Sequence, residues 1–252
     1  MVNDPIGDRM KSQYEDRTRY LLPRRTYTII RLDGVAFHTY TRNMTAFDSK
    51  FSGAMTNAAI AIAKAAQGFK LSYCQSDEIS LLLTDFRDPK TAAWFDGNVQ
   101  KIASVSASVA TAAFNSYMYL GKYIDANPSV AHFDARVFVI PDPVEVENYF
   151  IWRQKDAMRN SLNSFAQQFF GPTALHGKGI SDVHQMLHEI GRNWATDLGD
   201  ADKNGSVITR ASMLLRHLEI SPAPVFLKDR GWLTSRIPEQ WAEDKGNAST
   251  TV

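Results

Sequence analysis

The sequence predicts an α+β fold of the ferredoxin-like kind: β-α-β-β-α-β, an antiparallel sheet with helices on one face, and a helical or mixed C-terminal extension. Three observations carry this. Residues 27–33 alternate as a strand does and stop at Gly34. Two apolar runs, 69–74 and 79–84, are joined by the four polar residues Gln75-Ser76-Asp77-Glu78. Two long helical patterns, 51–66 and about 91–120, separate the strands.

Taken in order, residues 8–20 suit a short polar helix that leads to the breaker Pro23. In the first strand Tyr27, Ile29, Arg31 and Asp33 point one way, and Thr28, Ile30 and Leu32 the other. The Ala-rich helix 51–66 sets Met55, Ala58, Ala59, Ile62 and Ala66 on one face, and Gly68 stops it. In the second helix a small face (Ala103, Ser104, Ala107, Ser108, Ala112) is expected to lie against the sheet. A last strand, 133–140, ends at Pro141. Beyond Val144 comes an amphipathic helix, 145–170. Its apolar stripe is Ile151, Met158, Leu162, Phe165 and Phe169; its polar stripe is Arg153, Asp156, Asn160, Asn163 and Gln167. A solvated face is the default reading of that polar stripe. A short helix is expected near 181–190. The division expected is 1–141 as a catalytic domain with an N-terminal helix, 142–245 as a mainly helical region packed on it, and 246–252 as a disordered tail.

With 252 residues, 44% hydrophobic and 22% charged, the chain has the composition of a globular protein with a substantial core. Its net charge of +1 does not announce nucleic acid, but residues 17–31 carry five arginines and no acid. Such an arm, Arg24 and Arg25 included, suits a polyanion such as RNA; arginines solvated around a strand are the equal alternative. Cys74 is the single cysteine, so no disulfide within the chain is possible. Neither a secretory signal nor a run of about 20 apolar residues is present, so a cytoplasmic protein without a membrane span is expected.

Other chemistry is poorly supported. His184 and His188 have zinc-pair spacing without the glutamate of H-E-x-x-H, and Cys74 sits inside a strand. There is no Walker A loop and no dinucleotide-binding G-x-G-x-x-G. In the predicted topology, however, the first strand lies beside the central hairpin and carries Asp33 to Asp77 and Glu78. Carboxylates at one sheet edge repel unless a cation neutralises them, which points to Mg²⁺. Each half alone reads as an ordinary turn. Two such ions about 3.5–4 Å apart are the clamp used for nucleotidyl transfer.

The stretches RLDGVAFHTYTR (31–42), YCQSDEISLLL (73–83), FDARVFVIP (133–141) and WRQKDAMRNSLN (152–163) resemble the tRNA-His guanylyltransferase family, the 3′-to-5′ RNA polymerases. The resemblance runs in order from about residue 9 to 194 and implies a polymerase palm. It implies that Asp33, the Gly34 carbonyl and Asp77 bind two Mg²⁺, with Glu78 beside them as an essential carboxylate. Val35, Ala36, Phe37 and His38 would cradle a nucleoside triphosphate, with Asp48 and Ser76 nearby, and Arg31 and Lys101 would add positive charge. The implied chemistry uses ATP to adenylylate a tRNA 5′-monophosphate, after which the 3′-hydroxyl of an incoming NTP, GTP included, displaces AMP. A homotetramer is implied as well.

The chain departs from the guanylyltransferase branch in two places. The helix after W-R-Q carries Arg159-Asn160-Ser161-Leu162 in place of H-I-N-N, and Thr45-Ala46 stands where Lys-Pro is usual. The first departure is similar to the guanylyltransferase-like branch of bacteria and archaea, which repairs 5′-truncated tRNAs with template-directed addition. Arg159 and Asn160 join Arg24 and Arg25 as candidate tRNA contacts. Two other readings fit a carboxylate-bearing palm: a nucleotide cyclase or dinucleotide synthase, and an RNA-binding relative without activity.

Overall fold

The computed structural model describes residues 4–88, 90–121, 130–210 and 217–239; the expected tail, 246–252, lies outside them. Helix α1 (Pro5–Met10) continues in helical turns to Thr18. Strand β1 (Tyr27–Gly34), the four-residue α2 (Phe37–Tyr40), α3 (Ser49–Ala65), β2 (Phe69–Gln75), β3 (Glu78–Leu83), α4 (Val99–Leu120) and β4 (Phe133–Ile140) follow. Helix α5 (Pro143–Ala166) comes next, then four short helices: α6 (Pro172–Leu175), α7 (Ile180–Glu189), α8 (Trp194–Asp197) and α9 (Asp200–Asn204). Strands β5 (Ser206–Arg210) and β6 (Leu218–Pro222) and helix α10 (Arg230–Thr234) complete the described chain.

The sheet runs β4-β1-β3-β2-β5-β6, antiparallel throughout. Its first four strands have the ferredoxin-like order predicted from the sequence. The last two were not expected. They are short, and β6 is almost wholly exposed, so neither carries a long apolar alternation.

The palm helices α3 and α4 lie on one face of the sheet, as expected, and the C-terminal region covers the other. Ile30, Leu32, Ile79 and Leu81 pack against α3 and α4, while Tyr27, Ile29, Leu71, Tyr73 and Leu82 pack against α5 and the segment around Phe226 and Leu233. Double coverage explains why β2 and β3 read as continuous apolar runs. The buried face of α4 is Ile102, Ser106, Ala110, Phe114 and Met118. The small residues expected there are displaced: Ser104, Ser108 and Ala112 face outward. Large side chains one position round the helix reach the core, so they set its rotation. The helix also starts later than expected, at Val99, where Asn98 caps it by accepting from the Lys101 amide at 3.1 Å.

Helix α5 starts at Asp142, whose carboxylate accepts from the amides of Val144 (2.7 Å) and Glu145 (3.2 Å). Its expected polar stripe is only partly solvated, since Arg153 is buried, and so is Gln154 beside it. Gln154 staples α5 to the C-terminal segment. It donates to the carbonyls of Asn204 (3.2 Å) and Pro224 (2.7 Å) and accepts from the Phe226 amide at 2.7 Å. Gln154→Leu keeps the volume and leaves the Phe226 amide and Pro224 carbonyl buried without a partner. It is expected to lower the unfolding free energy by about 1–3 kcal/mol in urea titrations; an unchanged midpoint would refute the staple.

Candidate active site

The hairpin β2–β3 closes in a two-residue turn. Gln75 pairs with Glu78 across the ladder, so only Ser76 and Asp77 lie at the tip, and Ser76 takes a φ of 47°. This corrects the expected four-residue knot and separates the two acids. Asp77 sits in the turn, half-buried, whereas Glu78 belongs to a strand and is buried. The β1–β3 register sets Asp33 opposite Glu78, and the Gly34 amide donates to the Asp77 carbonyl at 3.1 Å. Residues 44 positions apart thus meet at one end of the sheet.

Burial, and then the charge of Asp33, push the Asp77 carboxyl above its ordinary value; its own amide and the Ser76 hydroxyl pull it part of the way back. Glu78 is different. Arg153 grips it in a bidentate pair (Nε–Oε1 2.7 Å, Nη2–Oε2 2.5 Å), Arg31 Nε lies 3.0 Å from Oε2, and the Ser80 hydroxyl donates to Oε1 at 3.4 Å. Arg31 Nε is within ion-pair range there but misaligned for a hydrogen bond. Both oxygens of Glu78, the residue expected to be an essential carboxylate beside the metal ligands, are engaged by these partners. Arg153 also reaches Asp156 at 3.1 Å, and Asp156 pairs in turn with Arg159.

Asp77 and Ser76 border a cleft of about 650 Å³. Its other walls are the α2–α3 segment (Phe37, His38, Thr45, Ala46, Phe47, Asp48), one side of α5 (Ala157, Asn160, Ser161, Ser164) and the end of α9 (Asp202, Lys203). Phe47 packs onto Leu162 and Phe165 of α5 and holds the loop in place. Phe37 is locked among Tyr40, Phe51, Phe114 and Phe133. Its ring lies so close to Gly34 that a Cβ there would come within 2.3 Å of it. Gly34 is therefore required by this close approach, whatever its carbonyl binds.

A sequence profile of the family described as Thg1, tRNAHis guanylyltransferase, matches residues 7–141. The tRNA(His) guanylyltransferase of Debaryomyces hansenii is 30% identical over 228 residues, 79% of this chain and 81% of that one. The chain belongs to the tRNA-His guanylyltransferase family. Among solved structures, a bacterial Thg1-like protein in complex with ATP is 41% identical, with a TM-score of 0.84 over 92% of this chain and 99% of that one. A second, in complex with GTP, is 38% identical over the same shares, with a TM-score of 0.76. Members of this family are nucleotidyltransferases, and the palm-type sheet here is theirs.

Against that family frame, the structure gathers Asp33, Gly34, Asp77, Ser76, Phe37, His38, Asp48 and Asn160 at or beside the cleft. Asp48 is the N-cap of α3, accepting from Lys50 (2.8 Å) and Phe51 (3.1 Å) amides. The Val35 amide is taken by the His132 carbonyl at 2.9 Å. Phe37 and His38 open α2, so their amides have no acceptor within that helix, and Ala36 just before them takes a φ of 55°.

Other expected residues lie elsewhere. Lys101 is at the start of α4, its ammonium 4.8 Å above the Phe95 ring, beside the segment 20–22 that precedes β1. The catalytic end of β1 meets α4 near Thr111, which accepts from the Phe133 amide at 3.2 Å. About 15 Å of helix separates that point from Lys101. Arg24 and Arg25 are at the same remote end and bind inward: Arg24 Nε to Asp85 Oδ2 at 2.5 Å, Arg25 to the carbonyls of Asp85 (3.1 Å) and Asp88 (3.0 Å). Arg159 borders a separate, largely apolar hollow with Trp152, Ile180, His184 and Trp194. Cys74 is buried and its thiol is pushed up to about 12, so it is packing rather than a nucleophile. His184 and His188 lie on the exposed side of α7.

Two residues were missed. Asp134 stands opposite Asp33, and Arg136 opposite Arg31, on β4. Alternation in FDARVFVI could have found them, since it puts both on the face of Phe138. The donors that remain near Asp77 are all oxygens (the carboxylates of Asp33 and Asp77 and the Gly34 carbonyl), a set that fits Mg²⁺. No group of three or more metal-type side chains gathers among the described residues, so water or phosphate oxygens would complete the coordination.

Two predictions follow the electrostatics. An acid with a raised folded-state pKa holds its proton more tightly folded than unfolded, so its ionisation erodes stability as pH rises through the window above 3.8. Asp77→Asn removes that cost. Without metal, the variant is expected to be the more stable protein at pH 7 in urea titrations, with the gap closing towards pH 4. Equal stabilities at both pH values would refute it. Arg153→Met strips the bidentate partner from a buried carboxylate and is expected to cost about 3–5 kcal/mol. A loss of less than 1 kcal/mol would mean that Arg31 alone suffices.

Proposed function

We propose that this chain is a Mg²⁺-dependent, template-directed 3′–5′ nucleotidyltransferase that activates the 5′ end of a tRNA with ATP and adds nucleotides to it, repairing truncated ends. The observation that carries the reading is the union of Asp33 and Asp77: the Gly34 amide bonds the Asp77 carbonyl at 3.1 Å and the charge of Asp33 helps to raise the Asp77 carboxyl. Asp77 lines a cleft of about 650 Å³, within the usual size of a nucleotide site. Likeness to the bacterial Thg1-like proteins with ATP and with GTP, each covered over 99% of its length, supports the same reading.

Two Mg²⁺ ions would be held by Asp33, Asp77 and the Gly34 carbonyl and would supply Lewis-acid charge neutralisation for in-line displacement. The chain's own residues do the rest. Phe37 and His38 present first-turn amides to phosphate. Phe47, Phe51 and Met55 give the cleft an apolar wall for a base, and Asn160 and Ser164 offer polar contacts from α5. Activation forms a bond from the tRNA 5′-phosphate to the α-phosphorus of ATP and releases pyrophosphate. The NTP 3′-hydroxyl then attacks the 5′-phosphorus, and AMP leaves. No described helix is long and apolar enough to cross a membrane, in keeping with a cytoplasmic substrate.

The test is incubation of the protein with Mg²⁺, ATP, NTPs and a tRNA that lacks its first nucleotide. Wild type is expected to restore the end, and Asp77→Asn to be slower by about 10³-fold, several kcal/mol of transition-state stabilisation. No addition by wild type, or equal addition by the variant, would sink the reading. A cyclic product from ATP or GTP alone would favour the cyclase instead.

A further inference from the structure

Three aspartates and one lysine line the cleft. Asp48 caps α3 through the amides of Lys50 and Phe51. Asp77 sits at the hairpin tip, close enough to Asp33 to respond to its charge. Lys203 holds Asp200 at 3.0 Å and the Ala195 carbonyl at 2.7 Å. Asp202 is left. It is half-buried, and its carboxylate makes no hydrogen bond or ion pair among the described residues.

An acid three residues after a helix N-cap ordinarily reaches back to the N-cap amide. Helix α7 does this: Asp182 accepts from the Gly179 amide at 3.0 Å. Asp202 holds the same position in α9, three residues after Gly199, yet makes no such bond. Burial alone pushes its carboxyl above the ordinary value. A carboxylate drawn part-way out of water without a donor is destabilised, and donors on a ligand would relieve it.

Register places it relative to the metal-type carboxylates. Cys74 of β2 pairs with Ser206 of β5, and the two strands are antiparallel. Asp77 lies three residues after Cys74, and Asp202 four residues before Ser206. Both therefore stand beyond the same end of the sheet, about 5–10 Å apart across one or two strand spacings. Like charge keeps phosphates away from Asp202, so they stay with the cation site and the amides of α2. The apolar wall of Phe47, Phe51 and Met55 suits the base. The part of a nucleotide that remains is its sugar. A templated reaction leaves base choice to the template, whereas the ribose is common to every NTP.

We propose that Asp202 binds the ribose of the nucleotide in the cleft, accepting from its 2′- and 3′-hydroxyls. An ionised carboxylate has two acceptor oxygens for two adjacent O–H donors, the pairing that dinucleotide-binding folds use for ribose. The assignment rests on the transferase reading above and adds to it a choice of ribonucleotides over deoxyribonucleotides.

The experiment compares wild type, Asp202→Ala and Asp202→Asn. Binding of ATP, 2′-deoxy-ATP, 3′-deoxy-ATP, GTP and ITP is measured by equilibrium dialysis with Mg²⁺ and no RNA. Nucleotide addition to a truncated tRNA is followed in parallel. Wild type is expected to bind ATP about ten- to hundredfold more tightly than an analogue that lacks a bonded hydroxyl. Asp202→Ala is expected to bind ATP as weakly as wild type binds that analogue, with no ribose preference left. Asp202→Asn keeps one acceptor oxygen and recovers part of both; it also serves if Asp202→Ala fails to fold. A merely structural role of α9 would weaken ATP and its deoxy analogues alike. Asp202→Ala within twofold of wild type for ATP, or with the wild-type ribose preference intact, overturns the proposal. So does a loss confined to GTP together with its preference over ITP, since the carboxylate then reads guanine. A loss reversed by excess Mg²⁺ overturns it too, since the carboxylate then holds a cation. If wild type binds ATP but adds no nucleotide, the transferase reading falls, while the binding comparison still decides the role of Asp202. Wild type that binds no ATP overturns both.

Discussion

The Glu78–Arg153 ion pair is the interaction on which the arrangement of this site depends. It crosses from the middle of the sheet to α5 and is buried at both ends. A buried pair of this kind contributes little net stability compared with apolar packing of the same volume, because both charges must be desolvated. What it contributes is orientation. Burial works against the Arg153 charge, and Glu78 more than offsets that, so the guanidinium is held above its ordinary pKa. Exposed pairs such as Arg159–Asp156 lack this power to fix geometry, since solvent screens them.

The pair also settles which carboxylate is available. Three acids come within one turn of each other at the end of β1 and β3: Asp33, Asp77 and Glu78. Were all three free, their like charges would repel one another. Arg153 and Arg31 compensate Glu78 and leave Asp33 and Asp77 without a cationic partner among the described residues, and burial first, then the charge of Asp33, raises the Asp77 pKa. Helix α5 then serves two surfaces at once. One side holds Glu78 and seats Tyr149 on Ser80 (2.7 Å between hydroxyls), and another lines the cleft with Ala157, Asn160 and Ser161. A shift of α5 would alter the width of the cleft and the hold on Glu78 together.

Much of this was legible in sequence because strand periodicity is rigid. Alternation in YTIIRLD placed Arg31 and Asp33 on one face, and the hairpin with its Ser76-Asp77 tip delivered Asp77 to Asp33. What escaped was tertiary. The side of α5 that carries Arg153 looks solvated until one knows that a buried glutamate faces it. Lys101 looked near the site by resemblance, but α4 runs so that its start lies beside residues 20–22 and its later turns beside Phe133. Helix direction relative to the sheet is a property of the topology, and no local pattern announces it. Strands β5 and β6 escaped because their apolar content is small, and Gly205 is where the chain turns to join the sheet. There, at φ 80°, its Cα lies against Tyr73 and the Cys74 carbonyl, where a Cβ would come within 2.8 Å of both.

The same logic accounts for the charges at large. This chain has a net charge of only +1, yet its site must handle polyanions. The arginines at 24 and 25 brace the remote end of the sheet, and those at 31 and 153 neutralise Glu78. These four arginines are thus committed to internal partners, and bulk charge says nothing about the site. In the proposed reading, attraction for a phosphate comes from short-range groups set by register, chiefly a cation held between Asp33 and Asp77. With screening lengths near 8 Å at physiological salt, groups spaced by one or two strands act together, while Lys101, farther off along α4, does not.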